Sequence, residues 1–512
     1  MRQSLKSVFS LVLLRLAKKE GHKAYAKRAY CRAAPLQGAA CEGIGVAQKI
    51  CLPINPVRVR GGKSQKAGGQ KVRIAMIGGG YVGLVSGACF AEFGINVSIV
   101  ETNPARLSAL RDGRIPIYEP GLDALVSSNS QAGRLTFGDD IAQAVTGAEA
   151  VFIAVGTPPR NGDGAADLQY VHAAARQIAE ALTGYAVIVT KSTVPVGTSR
   201  RIAEIIRQTR PDADFDVASN PEFLREGNAI GDFMRPDRVI IGLDQRQPER
   251  ASRAEQVLRQ VYRPLSVVEA PLLFTGLETA ELTKYASNSF LAMKISFINE
   301  MADLCEKLGA NVHDLARGMG MDKRIGRDFL QPGPGYGGSC FPKDTLALSR
   351  IAQEAHSACR LVETTVQVNE ARKAGMAGRI AAACGGSVAG KTVGVLGLTF
   401  KPETDDMRES ASIPILHRLA EAGATIRAYD PVGMAAAKPL LPQDVVYCTD
   451  ALEVAEGADV LVVLTEWNMF RALSPAELAK RMRNGVIVDL RNIFDPAAMR
   501  AAGLTYESVG RP

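Results

Sequence analysis

The sequence has no Cys-x-x-Cys pair, and its nine cysteines are scattered. Cys31, Cys41 and Cys51 stand ten apart, a spacing that fits no common zinc site, so no metal is expected. With no paired-cysteine framework, a reducing, cytoplasmic compartment is expected. No apolar run approaches the roughly 18 residues that span a bilayer, so no membrane span is expected. A basic folded region is also lacking. The net charge is +8, yet residues 1–71 hold 15 of the 61 Lys/Arg and only two of the 53 acids, Glu20 and Glu42. The remainder is mildly acidic, which removes the usual electrostatic argument for nucleic-acid binding.

What is present is enough chain for roughly two to four domains. The first 70 residues read as a basic, disordered extension. Their apolar stretch from Val8 to Leu16 is broken by Arg15 and lacks a clean cleavage site, unlike a signal peptide. A transit peptide or a basic amphipathic helix is the alternative. Gly61 to Gly69 read as a flexible linker. Beyond it, short apolar runs at Val72–Ile77, Val97–Glu101, Val151–Val155, Ala186–Thr190 and Phe215–Ala218 read as buried strands. Helical stretches separate them, the first over Val82–Phe93, which indicates a parallel, doubly wound α/β sheet. From Glu278 to Leu308 no proline intervenes, and Leu282, Tyr285, Met293, Phe297, Met301, Leu304 and Leu308 recur at helical spacing. One long helix is expected there, suited to joining two domains or two subunits. Strand–helix alternation resumes at Lys391–Leu398, Thr425–Tyr429, Val460–Thr465 and Val486–Leu490. The expected architecture is two Rossmann-like α/β domains, 71–275 and 385–512, joined by a helical connector over 276–375.

Gly78-Gly79-Gly80-Tyr81-Val82-Gly83 fits G-x-G-x-x-G between a strand and a helix. Gly78 permits the turn, Gly80 lets backbone approach a pyrophosphate, and Gly83 allows close helix–strand packing. Glu101 ends the next strand, 21 residues after Gly80. A carboxylate there binds ribose hydroxyls and repels a 2′-phosphate, which favours NAD over NADP.

Gly335-Tyr336-Gly337-Gly338-Ser339-Cys340-Phe341-Pro342-Lys343-Asp344 places a cysteine in a glycine-rich loop just before a lysine and an aspartate. Loop amides and a nearby cation are expected to favour its thiolate, the nucleophilic form. In Asn220-Pro-Glu222-Phe223-Leu224-Arg225-Glu226-Gly227 two carboxylates follow a strand end, where doubly wound sheets bind ligands. By themselves they read as a solvated pair rather than as catalytic groups. Lys191 to Gly197 likewise follow a strand and by themselves read as a plain turn. Lys284 and Asn288 lie four apart on the long helix, so they share a face.

Taken together, GGGYVG, IYEPGL (117–122), VGTPP (155–159), KSTVPVGT (191–198), NPEFLREG, GYGGSCFPKD and FKPETDDMRES (400–410) resemble the UDP-glucose 6-dehydrogenase family over about residues 72–495. The resemblance implies a four-electron, NAD-dependent oxidation of UDP-glucose to UDP-glucuronate through a cysteine thiohemiacetal and thioester. It implies Cys340 as nucleophile, Lys284 as oxyanion cation, and Asn288 and Asp344 as groups that position the reacting oxygen. Glu222 would be the base for water and Thr193 would help to hold that water. Gly78, Gly80, Tyr81, Val82, Gly83, Glu101, Thr157, Glu226, Lys343 and Arg408 would meet the cofactor. Phe223, Leu224, Tyr336, Gly337 and Lys401 would meet the substrate, as would Arg324, extended across a homodimer or higher oligomer. Glu101 departs from the aspartate that is commoner there. Rival readings are a GDP-mannose or UDP-N-acetylmannosamine dehydrogenase, a two-electron hydroxyacid-type dehydrogenase and a non-catalytic nucleotide-sugar sensor. The hydroxyacid type has no use for Cys340, and a sensor has no reason to keep the set of reactive residues.

Overall fold

The computed structural model describes residues 72–158, 160 and 165–511. The basic extension and its linker lie outside the described residues. Two sheets organise the rest. The first has eight strands: β1 (Arg73–Ile77), β2 (Asn96–Val100), β3 (Leu135–Gly138), β4 (Ala150–Ile153), β5 (Ala186–Thr190), β6 (Phe215–Ser219), β7 (Val239–Leu243) and β8 (Leu272–Gly276). Their spatial order is β3-β2-β1-β4-β5-β6-β7-β8. From β3 to β6 the strands are parallel, in the order of a dinucleotide-binding sheet. The central strands are apolar on both faces because helices cover both faces; β4 and β5 are buried at every residue. At the far edge the expected all-parallel pattern ends, since β7 runs antiparallel to β6 and β8 follows β7.

The second sheet comprises β9 (Thr392–Leu396), β10 (Thr425–Tyr429), β11 (Val446–Tyr447), β12 (Val460–Val463), β13 (Val486–Asp489) and β14 (Thr505–Ser508), ordered β11-β10-β9-β12-β13-β14. All its pairings are parallel. This repeats the winding of the first sheet, so the fold is α/β with two Rossmann-like sheets, as the sequence suggests.

Four helices position the functional residues: α1 (Tyr81–Glu92), α2 (Leu277–Leu308), α3 (Phe341–Glu354) and α4 (Arg360–Ala383). The 32-residue α2 leaves β8 directly and stops at Gly309, whose φ of 69° lets the chain turn back. α4 runs unbroken to Ala383, past the residue 375 expected to end the connector. On α2 the apolar residues seen in the sequence are split between faces. Leu282, Phe297, Leu304 and Leu308 are exposed, together with Phe290. The buried stripe carries small and polar groups, among them Glu281, Lys284, Asn288 and Asn299. No helix among the described residues is long and apolar enough to cross a membrane.

Glu281 shows what that stripe does. Its carboxylate accepts the backbone N–H groups of Gly197 at 2.6 Å and Ser199 at 2.8 Å, tying the loop after β5 to α2. Glu281→Leu orphans the buried Ser199 donor and the half-buried Gly197 donor, so a loss of about 2–4 kcal/mol is expected in urea unfolding. Glu300→Leu, at an exposed site on the same helix, should change stability little.

Candidate active site

Two clefts meet at one sulfur atom. A cavity of about 760 Å³ is lined by residues between Lys191 and Phe341, including Glu222, Phe223, Lys284 and Asn288. A second, of about 770 Å³, is lined by Gly80, Val82, Thr157, Thr193, Lys343 and Arg408, among others. Cys340, Glu222 and Leu224 line both. A group at this junction reaches whatever occupies either side.

Cys340 is the residue just before α3, and the N–H of Asp344 closes the first turn onto its carbonyl at 2.9 Å. Ser339 Oγ lies 3.4 Å from Sγ. Facing the thiol is the buried pair Lys284 Nζ to Glu222 Oε1, at 2.9 Å. Glu222 Oε2 also accepts the N–H of Leu224 at 2.6 Å. One helical turn beyond Lys284, Asn288 Nδ2 donates to Asp344 Oδ2 at 2.6 Å, and Lys343 Nζ donates to Asp344 Oδ1 at 2.7 Å.

Burial alone favours the neutral forms of this pair. Against it, Lys284 and the Leu224 amide hold the Glu222 carboxyl below its usual range. Burial would likewise lower Lys284, but Glu222 first, then Cys340 and Asp344, push it up to about 12. Each partner therefore keeps the other charged. The thiol behaves otherwise. Burial pushes Cys340 above the ordinary range, and Lys284 only partly offsets that. The expectation of a resting thiolate is corrected: desolvation outweighs the single cation, which already serves Glu222.

The loop after β1 fits a dinucleotide. Gly78 has a φ of 112°, and a Cβ there would stand 2.5 Å from the carbonyl oxygen of Ala154. A side-chain carbon on Gly83 would collide with the Gly78 carbonyl, while the space beside Gly80 is open. That opening lies at the α1 N-terminus, where amides and helix dipole favour phosphate. Glu101 directly follows β2, is buried, and accepts the N–H of Asn103 at 2.8 Å, with Arg106 at 3.8 Å. Tyr81 donates to Glu119, whose carboxylate also accepts Gly227 N–H at 2.6 Å and Ala229 N–H at 2.7 Å. The cofactor loop is thus linked to the loop that carries Glu222.

The second sheet has an acid at the matching place, but it is already satisfied. Asp430 follows β10 and accepts N–H groups of Leu398, Thr399, Val432 and Gly433, and the Trp467 ring N–H. It has no capacity left for a ribose.

Most residues expected at the site converge on these clefts. Thr157 Oγ1 donates to the Thr193 carbonyl at 2.9 Å. Phe223 lies under Arg238, 3.8 Å from ring centre to guanidinium, and 5.4 Å from Lys284. Glu226 accepts from Ser339 at 2.9 Å and Thr404 at 3.1 Å, and Arg408 reaches it at 3.5 Å. Tyr336 lines the cofactor side, with its N–H on Asn369 Oδ1 at 2.8 Å. Three residues behave differently. Gly337 lies against the Glu409 carbonyl in packed backbone. Lys401 sits beside the Phe400 ring and lines neither cleft. Arg324 is 89% exposed at its side chain, pairs with Asp322 at 2.6 Å and stays outside both clefts of its own chain.

The chain segment 400–409 backs the site from the C-terminal side. Gly338 N–H donates to the Arg408 carbonyl at 2.9 Å, and a Cβ on Gly338 would stand 2.7 Å from the Phe400 ring. One on Gly227 would stand 2.5 Å from the Glu403 carbonyl. Sequence reading missed Lys191, Arg106 and Ser339 as site residues. Each carried a positional signal: Lys191 follows a strand, Ser339 precedes Cys340 in the glycine loop, and Arg106 stands five residues after Glu101.

Residues 72–266 match the NAD binding domain of the UDP-glucose/GDP-mannose dehydrogenase family, 278–371 its central domain and 394–496 its UDP binding domain. The UDP-glucose 6-dehydrogenase of Rhizobium meliloti (strain 1021) is 56% identical over 441 residues, covering 86% of this chain and 100% of that protein. The solved UDP-glucose dehydrogenase of the hyperthermophilic archaeon Pyrobaculum islandicum matches with a TM-score of 0.79 at 39% identity, over 87% of this chain and 99% of its own. A UDP-D-ManNAc dehydrogenase from Pyrococcus horikoshii matches at 0.74 and 27% identity, over 86% and 99%.

The thiol's environment sets a pH test. In ligand-free protein, alkylation of Cys340 by iodoacetamide should accelerate with pH through an inflection above the ordinary thiol value of about 8.5. Lys284→Met removes the opposing cation and should move that inflection further up. Peptide mapping of the labelled cysteine checks the site, and an inflection below the ordinary value would contradict the burial argument.

Proposed function

The chain belongs to the UDP-glucose/GDP-mannose dehydrogenase family, and from that premise we propose that it oxidises UDP-glucose to UDP-glucuronate with NAD. The observation that carries this reading is the Cys340 thiol at the seam of two clefts, beside a buried lysine–carboxylate pair. An alcohol dehydrogenase that stops at two electrons needs neither a nucleophile nor a water-activating base at that seam. The higher identity to UDP-glucose 6-dehydrogenases than to the ManNAc enzyme favours glucose as the sugar.

When bound, NAD accepts a hydride from C6 in each of two rounds. The chain's own residues do the rest. Asn288 and Asp344 position the C6 oxygen, and the Lys284 ammonium stabilises negative charge as it gathers there. Cys340 Sγ adds to the aldehyde carbon and the thiol proton ends on the former carbonyl oxygen, giving a thiohemiacetal. This again places a hydrogen on a carbon bearing a hydroxyl, which a second hydride removal requires. The product is a thioester on Cys340. Glu222, kept ionised by its neighbours, takes a proton from water held near Thr193, and hydrolysis frees the acid. A resting neutral thiol suits this order, because the sulfur attacks only once an aldehyde is there to accept its proton.

The cofactor lies with the domain 71–275, on Gly78, Gly80, Tyr81, Val82, Gly83 and Glu101, with Thr157, Glu226, Lys343 and Arg408 at its reactive end. The sugar lies along Phe223, Leu224, Lys284 and Asn288. The connector covers 276–375 and continues through α4. The nucleotide end of the substrate points to the domain 385–512 and Lys401. The exposed apolar residues of α2 support a homodimer or higher oligomer, in which the extended Arg324 reaches a partner's substrate. The described cysteines are all free thiols, which agrees with a cytoplasmic enzyme.

Purified protein given UDP-glucose and NAD should form two NADH per UDP-glucuronate; one NADH per substrate consumed would overturn the four-electron reading. Cys340→Ser should abolish steady NADH formation while UDP-sugar binding, read by calorimetry, persists. Phe297→Glu, in the exposed stripe, should lower the sedimentation mass toward one chain.

A further inference from the structure

Beside the catalytic pair stands a buried charge without a counter-ion. Lys191 directly follows β5 and is 3% exposed. Its Nζ donates to Asn220 Oδ1 at 3.0 Å, an oxygen that also accepts from the Tyr262 hydroxyl. Asn220 is fixed in turn by its Nδ2, which donates to the Ile240 carbonyl at 2.8 Å. Among the described residues no carboxylate lies within ion-pair distance of Lys191, although it lines the same cleft as Glu222 and Lys284. Burial lowers it to about 8; Glu222 resists that change and Lys284 adds to it. An unpaired buried ammonium is costly to fold around, so its place calls for a reason.

The oxidation of UDP-glucose through a Cys340 thioester supplies one, and the inference rests on that reading. During thioester hydrolysis Lys284 has to turn its charge to the oxygen on C6. Glu222 then loses its nearest cation inside a buried site, where a lone carboxylate tends to take up a proton and cease to be a base. We propose that Lys191 is a positioning residue that keeps Glu222 ionised at that stage, as the second of two cations flanking one carboxylate. The groups facing Glu222 fit this arrangement: Lys284 from α2, Lys191 from the end of β5, and the Cys340 thiol from the start of α3. Among the described residues, the charged groups that act on Lys191 are Glu222 and Lys284, and the Phe233 ring lies 5.9 Å from its Nζ. In the step itself, Glu222 takes a proton from water as the hydroxide oxygen bonds to C6. The C6–S bond then breaks, and Cys340 leaves as thiolate and recovers that proton.

Lys191→Gln retains a donor for Asn220 Oδ1 but has no charge. The readout is the decay rate of the acyl-enzyme in quenched single turnovers, followed by intact mass across pH. In the Gln variant the acidic limb of that rate should move up by about one pH unit. Acyl-enzyme should accumulate below neutrality while the first burst of NADH is retained. The two profiles should meet above about 8, where the wild-type lysine has lost its own charge. Lys191→Arg should return the limb toward the wild-type position. A Gln variant whose acidic limb superimposes on the wild type overturns the proposal. If that variant does not fold, Asn220→Asp puts a counter-charge on Lys191 and should move the limb the same way; an unmoved limb there overturns it equally. Wild-type protein that makes UDP-glucuronate with two NADH while these limbs stay fixed leaves the dehydrogenase reading standing and removes this one. Wild-type protein that makes no UDP-glucuronate removes both.

Discussion

The buried contact between Lys284 and Glu222 organises the rest of the site. Two charges removed from water are stable only if each satisfies the other and the remaining valences find partners. Here the second carboxylate oxygen takes the Leu224 amide, and the ammonium lies within the field of Cys340 and Asp344. Both residues must therefore be delivered to one point by different parts of the chain. Helix α2 makes this delivery. Glu281, Lys284 and Asn288 share one face, spaced three and four apart, and each fastens a different segment: the loop after β5, the loop after β6 and the start of α3. A continuous helix with no proline keeps their relative heights fixed.

The same architecture is used twice with different outcomes. Both sheets have the strand order of a dinucleotide-binding domain, and in both an acid follows the second strand in sequence. In the first sheet Glu101 stands beside a loop whose open face at Gly80 admits a phosphate. In the second, Asp430 is surrounded by five N–H donors of its own domain and locks its loop shut. One cofactor site per chain follows from where those donors go, and strand order alone would not reveal it. The reaction proposed above, in which the intermediate stays bonded to the enzyme between oxidations, asks for no more than one such site.

What the sequence revealed and what it hid divide along physical lines. The fully buried strand Ala186–Thr190 was legible to the residue because a run such as Ala-Val-Ile-Val-Thr has few other uses. The edge strands Leu135–Gly138, Leu272–Gly276 and Thr505–Ser508 were not, because half-exposed strands carry mixed composition. The reversal at β7 was invisible, since side chains alternate in the same way in either direction. At the site, glycine loops and Cys340 stood out because their composition is unusual. The protonation state of Cys340 did not, as it depends on burial and on charges brought in from elsewhere in the chain, those of Lys284 and Glu222. Lys191 was hidden for the same reason: a lysine after a strand looks like any turn until its burial is known. The apolar residues of α2 gave the helix but not its orientation, because small and polar groups took the buried face.

The segment 400–409 lies in the C-terminal domain by chain order, yet it presses on two loops that line the clefts, against Gly227 on one and Gly337 and Gly338 on the other. Glycine is the only residue that admits such close backbone approach at these points. The functional seam of this protein therefore does not coincide with the gap between its sheets. A chimaera built from two relatives by cutting near residue 385 would pair one parent's reactive loops with the other parent's backing strip. Recombination that respects the chemistry has to carry residues 400–409 along with the N-terminal half, as though a short piece of one domain were on permanent loan to the other.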